Sequence, residues 1–333
     1  MLASPIYPGF DPKWRSVPGY ILGITEEIWE GRQIDSLTDY YAKDIIVRSP
    51  ASVVVGNQGI QAATMATLAE FPDRTLLGED VIWCETQGTD DGPVGFLSSH
   101  RLTSTATHTG TGAYGAPSGK KLSYRILADC WCQRNQVRDE WLVRDQGAIV
   151  RQVGADPKSW AADLIVAEGG PERCVQPLSP DSDVEGPYFG RGNHAGPGAE
   201  LASALKEMMS GAFSVIHDRY DRACELAYAG GITGMGHNLA DQFWLGLRSS
   251  FPSAAFRIEH SVGMEEPGHP PRAAVRWSLY GKHDGHGQFG PATGCYVYVM
   301  GITHAEFGPR GLRREWTLID ETAIWKQILL ATG

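Results

Sequence analysis

Residues 107–152 read THTGTGAYGAPSGKKLSYRILADCWCQRNQVRDEWLVRDQGAIVRQ, and this stretch decides the fold because the chain carries it twice. It aligns without a gap on residues 282–327, at a constant offset of 175, with 12 of 46 positions identical. The copies share a His-x-Gly-x-Gly opening and an Arg-x-Glu-Trp-x-x-x-Asp close. A repeat of this length corresponds to a whole domain and not to a solenoid unit. The sequence therefore predicts a tandem duplication.

Size and composition describe a two-domain globular protein. The chain has 333 residues, of which 42% are hydrophobic and 20% charged, and this is enough for two cores. The formal charge of -10 disfavours nucleic acid and anionic membranes as partners. No apolar run approaches the length of a membrane span, and the N-terminus does not resemble a secretory signal. Six cysteines are too few for a disulfide scaffold, so we expect a cytoplasmic protein.

The order of local patterns repeats in the two halves, with helices first and strands after them. Apolar spacing predicts helices in the first half and three or four strands over 76–153, and it predicts two helices in the second half. The predicted helices cover 21–29, 34–41, 58–71, 201–228 and 238–250, and a short strand is predicted at 45–47. Helices followed by a run of antiparallel strands indicate an α+β domain with helices over the concave face of a curved sheet. We therefore predict a first domain at 16–160, a Gly/Pro-rich linker at 161–200 and a second domain at 201–333.

The pair Phe71-Pro72 matches Phe251-Pro252 at an offset of 180 and not 175. The first copy has therefore gained about five residues after this point, and the glycine-rich stretch 87–93 is the predicted place.

Three motifs carry a resemblance to a known family: Thr107-His108-x-Gly110, Pro117-Ser118-Gly119-Lys120 and Glu140-Trp141-x-x-x-Asp145. With Trp29, Tyr40-Tyr41-Ala42, Gly59 and Phe71-Pro72-Asp73 in the helical part, the chain resembles the SnoaL-like polyketide cyclase and ester cyclase family. That family belongs to the nuclear-transport-factor-2-like superfamily of cone-shaped α+β domains. The resemblance covers most of both halves, and it implies two such cones.

The resemblance also implies acid/base catalysis without a cofactor by an aspartate inside the cone, at Asp145 and Asp320. In a strand, Trp141, Val143 and Asp145 point to the same face, so the carboxylate would share a face with an aromatic wall. Trp316 holds the matching place in the second copy. An apolar cone would raise the pKa of such a carboxyl and fit it for proton transfer. Alternatively, an aspartate at a strand end can simply begin a turn.

Histidines are the next candidates. His108 and His283 each precede alternating glycines, where a strand bends, and either could assist the aspartate or only hold the bend by a hydrogen bond. His283 and His286 are spaced for a helix face and not for this strand, so we predict no metal site.

The copies differ on the strand before the Trp-Asp strand. Asp129 and Trp131 in the first copy stand opposite His304 and Glu306 in the second. His304, Glu306 and Asp320 could form an acid/base set in the second cone, or a solvated strand face. Trp131, Glu306 and Trp29 are further candidates for substrate contacts.

We expect a small-molecule enzyme of the cyclase, dehydratase or isomerase type, acting on a hydrophobic, carbonyl-bearing substrate. The alternatives are a non-catalytic binder of a hydrophobic ligand and a structural pseudo-dimer. Single-domain relatives pair through their sheets, so the resemblance implies a pseudo-dimer within one chain, with further homo-oligomerisation left open.

Overall fold

A computed structural model describes residues 6–86 and 94–333, and it contains two six-stranded sheets, one in each half of the chain. The strand order is β2-β1-β6-β5-β4-β3 in the first sheet and β8-β7-β12-β11-β10-β9 in the second. The two orders are the same when the second is renumbered, which confirms the duplication. The stretch 87–93, where we placed the insertion, lies outside the described residues.

The first half begins with helices and continues into the strands. Ser16 begins the first helix, because its side chain accepts a hydrogen bond from the backbone N–H of Gly19 and Pro18 follows in the first turn. A π-helical turn, Glu26–Glu30, extends this helix, and a 3-10 turn, Ile34–Ser36, precedes the next. The elements are α1 (Val17–Thr25), α2 (Leu37–Tyr40), β1 (Tyr41–Ser49), β2 (Ser52–Val55), α3 (Asn57–Glu70), β3 (Leu77–Thr86), β4 (Gly95–Thr107), β5 (Lys121–Gln133), β6 (Gln136–Arg144), α4 (Gln146–Val153) and α5 (Pro157–Ala167).

The second half follows the same plan. Its elements are α6 (Gly196–Met209), α7 (Ser214–Arg219), β7 (Tyr220–Tyr228), β8 (Ile232–Met235), α8 (His237–Ser250), β9 (Ala255–Met264), β10 (Arg272–Lys282), β11 (Tyr296–Gly308), β12 (Gly311–Leu318) and α9 (Glu321–Thr332). Within the described residues, no helix is long and apolar enough to cross a membrane.

The α+β class and the two cones are confirmed, but the sheets are mixed and not purely antiparallel. β1 pairs with β6 in parallel, and β7 pairs with β12 in parallel. Helix α3 connects β2 at one edge of the sheet to β3 at the other edge. The chain then comes back strand by strand, so that the last strand, β6, lies beside β1. Hydrophobic alternation marks a strand but does not state its direction, and for this reason the sequence pattern missed the parallel pairs.

Two predictions of secondary structure were wrong. The single helix predicted at 201–228 is two helices, α6 and α7, separated at Gly211, which has φ of 102°. Residues from Tyr220 onward form β7 beside β12. The strands predicted over 76–153 end at Arg144, because Asp145 begins α4 and Gly154 ends it at φ of 97°. The carboxylate of Asp145 accepts a hydrogen bond from the N–H of Ala148, which is a helix N-cap. The predicted linker 161–200 includes the end of α5 and the start of α6.

The outer faces of the two sheets contact each other. One shared cluster contains Leu127 and Val143 from the first sheet and Met300, Ile302 and Leu318 from the second. Polar side chains also pair across the contact between the two sheets. For example, Oδ2 of Asp129 in the first sheet lies 3.1 Å from Nδ1 of His260 in the second. Each concave face is therefore turned away from the other sheet and is covered by helices of its own half.

Candidate active site

The cone of the first half contains a cavity of about 310 Å³. Its floor is the concave face of β4, β5 and β6, and its walls come from α1, the π-helical turn and α3. Most of the lining is apolar, and these side chains include Ile21, Ile24, Trp29, Val47, Val54, Ile60, Leu76, Leu102, Ile126 and Leu142. Ligand sites of this kind are apolar hollows with a few polar groups inside.

The first cone is open because its helix α3 carries small side chains on the inner face. Ala63, Thr64 and Thr67 line the cavity. At an offset of 180, helix α8 of the second half has large apolar residues at the same places, and all of them belong to that half's core: Phe243, Trp244 and Leu247. Leu102 on the first floor is likewise replaced by Trp277, which is fully buried. These large side chains fill the second cone.

Glu140 is a buried carboxylate on the cavity floor. It is 6% exposed, and its Oε2 has no hydrogen-bond partner among the described residues. The pKa of Glu140 is raised to about 7, mainly because the carboxyl is buried. The hydrogen bond with the Tyr41 phenol lowers this pKa by a smaller amount, and the negative charge of Asp139 raises it. A carboxyl with this pKa can take up and release a proton near neutral pH.

The matching glutamate of the second half, Glu315, has a different environment. Its carboxylate accepts hydrogen bonds from the Trp244 indole at 3.2 Å, the Tyr228 phenol at 3.2 Å and the Thr317 hydroxyl at 2.6 Å. Three donors and a filled cone leave no access for a ligand. Glu315 is therefore a satisfied core residue, whereas Glu140 faces open space.

Other titratable side chains also line the first cavity, and His100, Arg74 and Arg144 are among them. His100 is buried, its Nδ1 has no partner among the described residues, and burial lowers its pKa to about 4, so it is neutral at physiological pH. Arg74 and Arg144 line the wall. Tyr124 lies beside both arginines. Burial acts to raise the Tyr124 pKa, but the two guanidinium charges outweigh it and the pKa is below the usual value.

Asp320 lies at this cavity and not in the cone of its own half. It is the N-cap of α9, where its Oδ1 accepts from the N–H groups of Thr322 and Ala323. It lines the first cavity together with the turn Pro50–Ala51 between β1 and β2. Burial raises the pKa of Asp320 to about 6. An aspartate of the second half thus reaches the cone of the first.

Asp145 holds the matching position but is fully engaged by backbone. Its two carboxylate oxygens accept from Gly230 N–H at 2.7 Å, Gly231 N–H at 2.9 Å and Ala148 N–H at 3.1 Å. Burial raises the pKa of Asp145 to about 6, against the effect of these three hydrogen bonds. The glycines belong to the turn between β7 and β8, so Asp145 connects the two halves. Asp145 does not line the cavity, and its hydrogen bonds to backbone N–H groups stabilise the contact between the two halves.

The tryptophans predicted as substrate walls lie on the outer faces of the sheets. The Trp141 ring packs under the guanidinium of Arg276 at 4.4 Å, and the Trp316 ring under that of Arg101 at 3.5 Å, both at the contact between the sheets. Trp131 stacks on Tyr188 at a centroid distance of 5.7 Å. The expectation that Trp141 shares the cone with a catalytic carboxylate is wrong, because successive strand residues alternate faces and its neighbour Glu140 takes the inner one. Trp29 does line the cavity.

His304 and Glu306 are also outside the second cone. His304 is fully buried between the sheets, where its Nε2 lies 2.7 Å from the Ser99 hydroxyl. Glu306 pairs with Arg314 at 3.3 Å. Since Asp320 lies at the first cavity, the structure does not bring His304, Glu306 and Asp320 together as an acid/base set.

His108 and His283 hold the bends at the ends of their strands. His108 Nδ1 is 3.0 Å from the Ser118 hydroxyl, and His283 Nδ1 is 3.0 Å from the Thr293 hydroxyl. Both are fully buried and neither lines the cavity. This is the structural alternative that the sequence left open. No group of three potential metal-ligating side chains occurs in the part of the chain that the structure describes.

Sequence reasoning missed Glu140, His100, Arg74, Arg144 and Tyr124. A signal was present, because four of these positions are polar in the first copy and apolar in the second. The replacements are Ala254 for Arg74, Val275 for His100, Val299 for Tyr124 and Ile319 for Arg144.

The comparisons with solved structures each match about two fifths of this chain. Among solved structures, the chain is similar to IdmH of Streptomyces antibioticus, described as a candidate polyketide cyclase, with 18% identity over 42% of this chain and 100% of that one (TM-score 0.35). A SnoaL-like candidate polyketide cyclase from Jannaschia matches with 17% identity over 41% and 96% (TM-score 0.34), and TsrD of Streptomyces laurentii with 19% over 42% and 95% (TM-score 0.35).

None of the curated proteins matches the sequence. Residues 20–153 match the family model described as SnoaL-like polyketide cyclase. This match runs from within α1 to the end of α4 and contains the whole first sheet, with every residue that lines the cavity except Asp320. The similarity of this chain to the SnoaL-like polyketide cyclase family therefore lies in its first half.

Proposed function

We propose that the first half is a small-molecule enzyme of the cyclase or isomerase type, with Glu140 as its acid/base group. One observation carries this proposal: the first cone is open around a buried carboxyl whose pKa is about 7, whereas the second cone is filled around the same glutamate. The substrate class is a hydrophobic molecule with a carbonyl group, since the lining is mostly apolar.

The chemistry follows from the groups in the cavity. The Glu140 carboxylate removes a proton from the carbon next to the substrate carbonyl, giving an enolate and a carboxylic acid. Neutral His100 can donate its Nδ1 proton in a hydrogen bond to the enolate oxygen, in the tautomer that carries the proton there. If the substrate has a carbon–carbon double bond next to that carbon, the enolate is a dienolate, and Glu140 returns the proton to its far carbon, which moves the double bond and is an isomerisation. Alternatively, the enolate carbon attacks a second carbonyl and the new alkoxide takes the proton, which closes a ring.

Asp320 is the second acid/base candidate of this site. Its three hydrogen bonds from Thr322 and Ala323 all end on Oδ1. In the first half, the turn facing it contains Pro50, which has no N–H to donate, whereas Asp145 is held by Gly230 and Gly231. Asp320 is therefore freer than Asp145 to exchange a proton with a ligand.

The second half has a structural role in this proposal. Phe243, Trp244 and Trp277 fill its cone, and it supplies Asp320 to the cavity of the first half. Such a division would give a duplicated chain one working site.

The test is proton exchange at the substrate carbon. We would incubate wild-type protein with a panel of aromatic ketones and β-diketones in D₂O and follow loss of the α-proton signal by NMR. Glu140→Gln should slow exchange by about 10² to 10⁴-fold, the usual contribution of a general base. Substitution of the exposed Glu172 by Gln is the matched control.

Loss of exchange in Asp320→Asn with full activity in Glu140→Gln would assign the base to Asp320 instead. Binding of panel members without any exchange by wild-type protein would favour a non-catalytic binder.

A further inference from the structure

Two arginines line the cavity without a carboxylate partner among the described residues. Arg74 is 5% exposed, and its Nε has no hydrogen-bond partner there. Arg144 is half-buried, and its Nε is likewise buried without a partner. Elsewhere in the chain, buried arginines are paired: Arg48 contacts Asp139 at 2.5 Å, for example. A buried charge without a partner is unfavourable, so this pair of guanidinium groups calls for an explanation.

Arg74 and Arg144 both line the cavity, and they are close enough for their positive charges to repel each other. Burial lowers the pKa of the Arg74 guanidinium, Tyr124 opposes this, and the like charge of Arg144 lowers it further. The phenol of Tyr124 lies near both guanidinium groups, whose positive charges lower its pKa. Glu140 and Asp320, two acidic groups of the cavity lining, form no ion pair with Arg74 or Arg144 among the described residues. The positive charge is therefore not neutralised by Glu140.

The fold itself does not need these groups. The second half builds the same sheet and helices with Ala254, Val299 and Ile319 in place of Arg74, Tyr124 and Arg144, and all three apolar residues belong to its core. Only the half that contains an open cavity carries the positive cluster. This association points to a ligand and not to folding.

We propose that the cavity binds the carboxylate group of an otherwise apolar small molecule between Arg74 and Arg144. This inference rests on the proposed function and narrows its substrate class to an organic acid. Guanidinium groups present planar pairs of donors that match the two oxygens of a carboxylate. Two positive charges suit one monoanionic group in a space of about 310 Å³ whose remaining walls are apolar.

Direct binding tests the inference without any turnover. We would titrate wild-type protein with 2-naphthoate, with its neutral analogue 2-naphthamide and with 2-naphthyl phosphate by isothermal calorimetry. The variants are Arg74→Ala and Arg144→Ile, which install the residues of the second half, and Arg144→Lys, which keeps the charge. Arg257→Ala, an exposed arginine on β9, is the control. Circular dichroism and the Tm show whether each variant is folded.

Wild-type protein should bind naphthoate at least about tenfold more tightly than naphthamide, because a hydrogen bond to a charged group increases binding affinity by about this factor or more. Arg74→Ala and Arg144→Ile should each reduce this preference by about tenfold, with naphthamide affinity unchanged, and Arg144→Lys should keep part of it. Equal affinity for the acid and the amide would overturn the inference, as would a preference that survives both substitutions or tight binding of the phosphate alone. Carboxylate binding without proton exchange on any acid would instead leave this inference intact and remove the proposed catalysis.

Discussion

Replacing Glu140 by glutamine should change the pH dependence of stability. In the folded protein the Glu140 pKa is about 7, against 4.5 for a solvated glutamate, because burial disfavours the charged form. A raised pKa means that the folded state holds this proton more tightly than the unfolded state does. Its stabilising contribution is therefore complete below pH 4.5 and is lost as the pH rises through 7.

The magnitude follows from the shift. One pKa unit corresponds to about 1.4 kcal/mol, so a shift from 4.5 to about 7 corresponds to about 3 kcal/mol. The glutamine variant cannot ionise at this position and does not lose this stability. Relative to wild type, Glu140→Gln should thus gain about 3 kcal/mol between pH 4.5 and pH 8.

Urea denaturation of the two proteins at several pH values measures this difference. Comparing the free energies of unfolding at each pH cancels the other titrating groups, including Asp145 and Asp320, because both proteins contain them. The exposed Glu172→Gln change serves as the control for a surface carboxylate. A difference between Glu140→Gln and wild type that stays constant from pH 4.5 to pH 8 would refute the assignment of Glu140 as a buried, protonatable carboxyl.

Three other changes test the two cones. Thr64→Trp, which copies Trp244, should fill the first cavity and abolish 2-naphthoate binding by calorimetry while circular dichroism stays unchanged; retained binding would contradict the cavity. Trp244→Thr should open the second core and cost about 3 to 5 kcal/mol in urea denaturation, the cost of a large buried truncation. Asp145→Ala should lower the free energy of unfolding by about 3 kcal/mol, because it leaves Gly230 and Gly231 N–H groups without an acceptor, yet leave ligand binding intact. Lost binding in a stable Asp145→Ala protein would show a direct role.

The duplication and the fold could be predicted because they rest on patterns that both copies preserve. His-x-Gly-x-Gly and Arg-x-Glu-Trp-x-x-x-Asp mark the same bends and the same strand in each half, and the family resemblance then gave the cone. The parallel pairing of β1 with β6 could not be predicted, since alternation along Tyr41–Ser49 is the same for either direction. Helix α4 was missed because Asp145 reads equally well as the start of a turn or of a helix.

The site was harder to predict than the fold. From the sequence, we assumed that the large aromatic ring of Trp141 marks the inner face of β6. Successive strand residues point to opposite faces, so this assumption assigned every side chain of β6 to the wrong face. Trp141 is buried, as its size suggests, but against the other sheet. The side to which Asp320 turns depends on how the two halves pack, and no local pattern encodes that. The polar-to-apolar replacement of Arg144 by Ile319 was visible in the alignment and would have pointed to the first cone.

A crystal structure of the wild-type protein soaked with a mixture of aromatic ketones and 2-naphthoate tests the central claim most directly. The account predicts ligand density in the first cone, with a carbonyl or its α-carbon within reach of Glu140 or an acid group between Arg74 and Arg144, and none among Phe243, Trp244 and Trp277. Density inside the second cone, or a first cone filled by its own side chains, would contradict it.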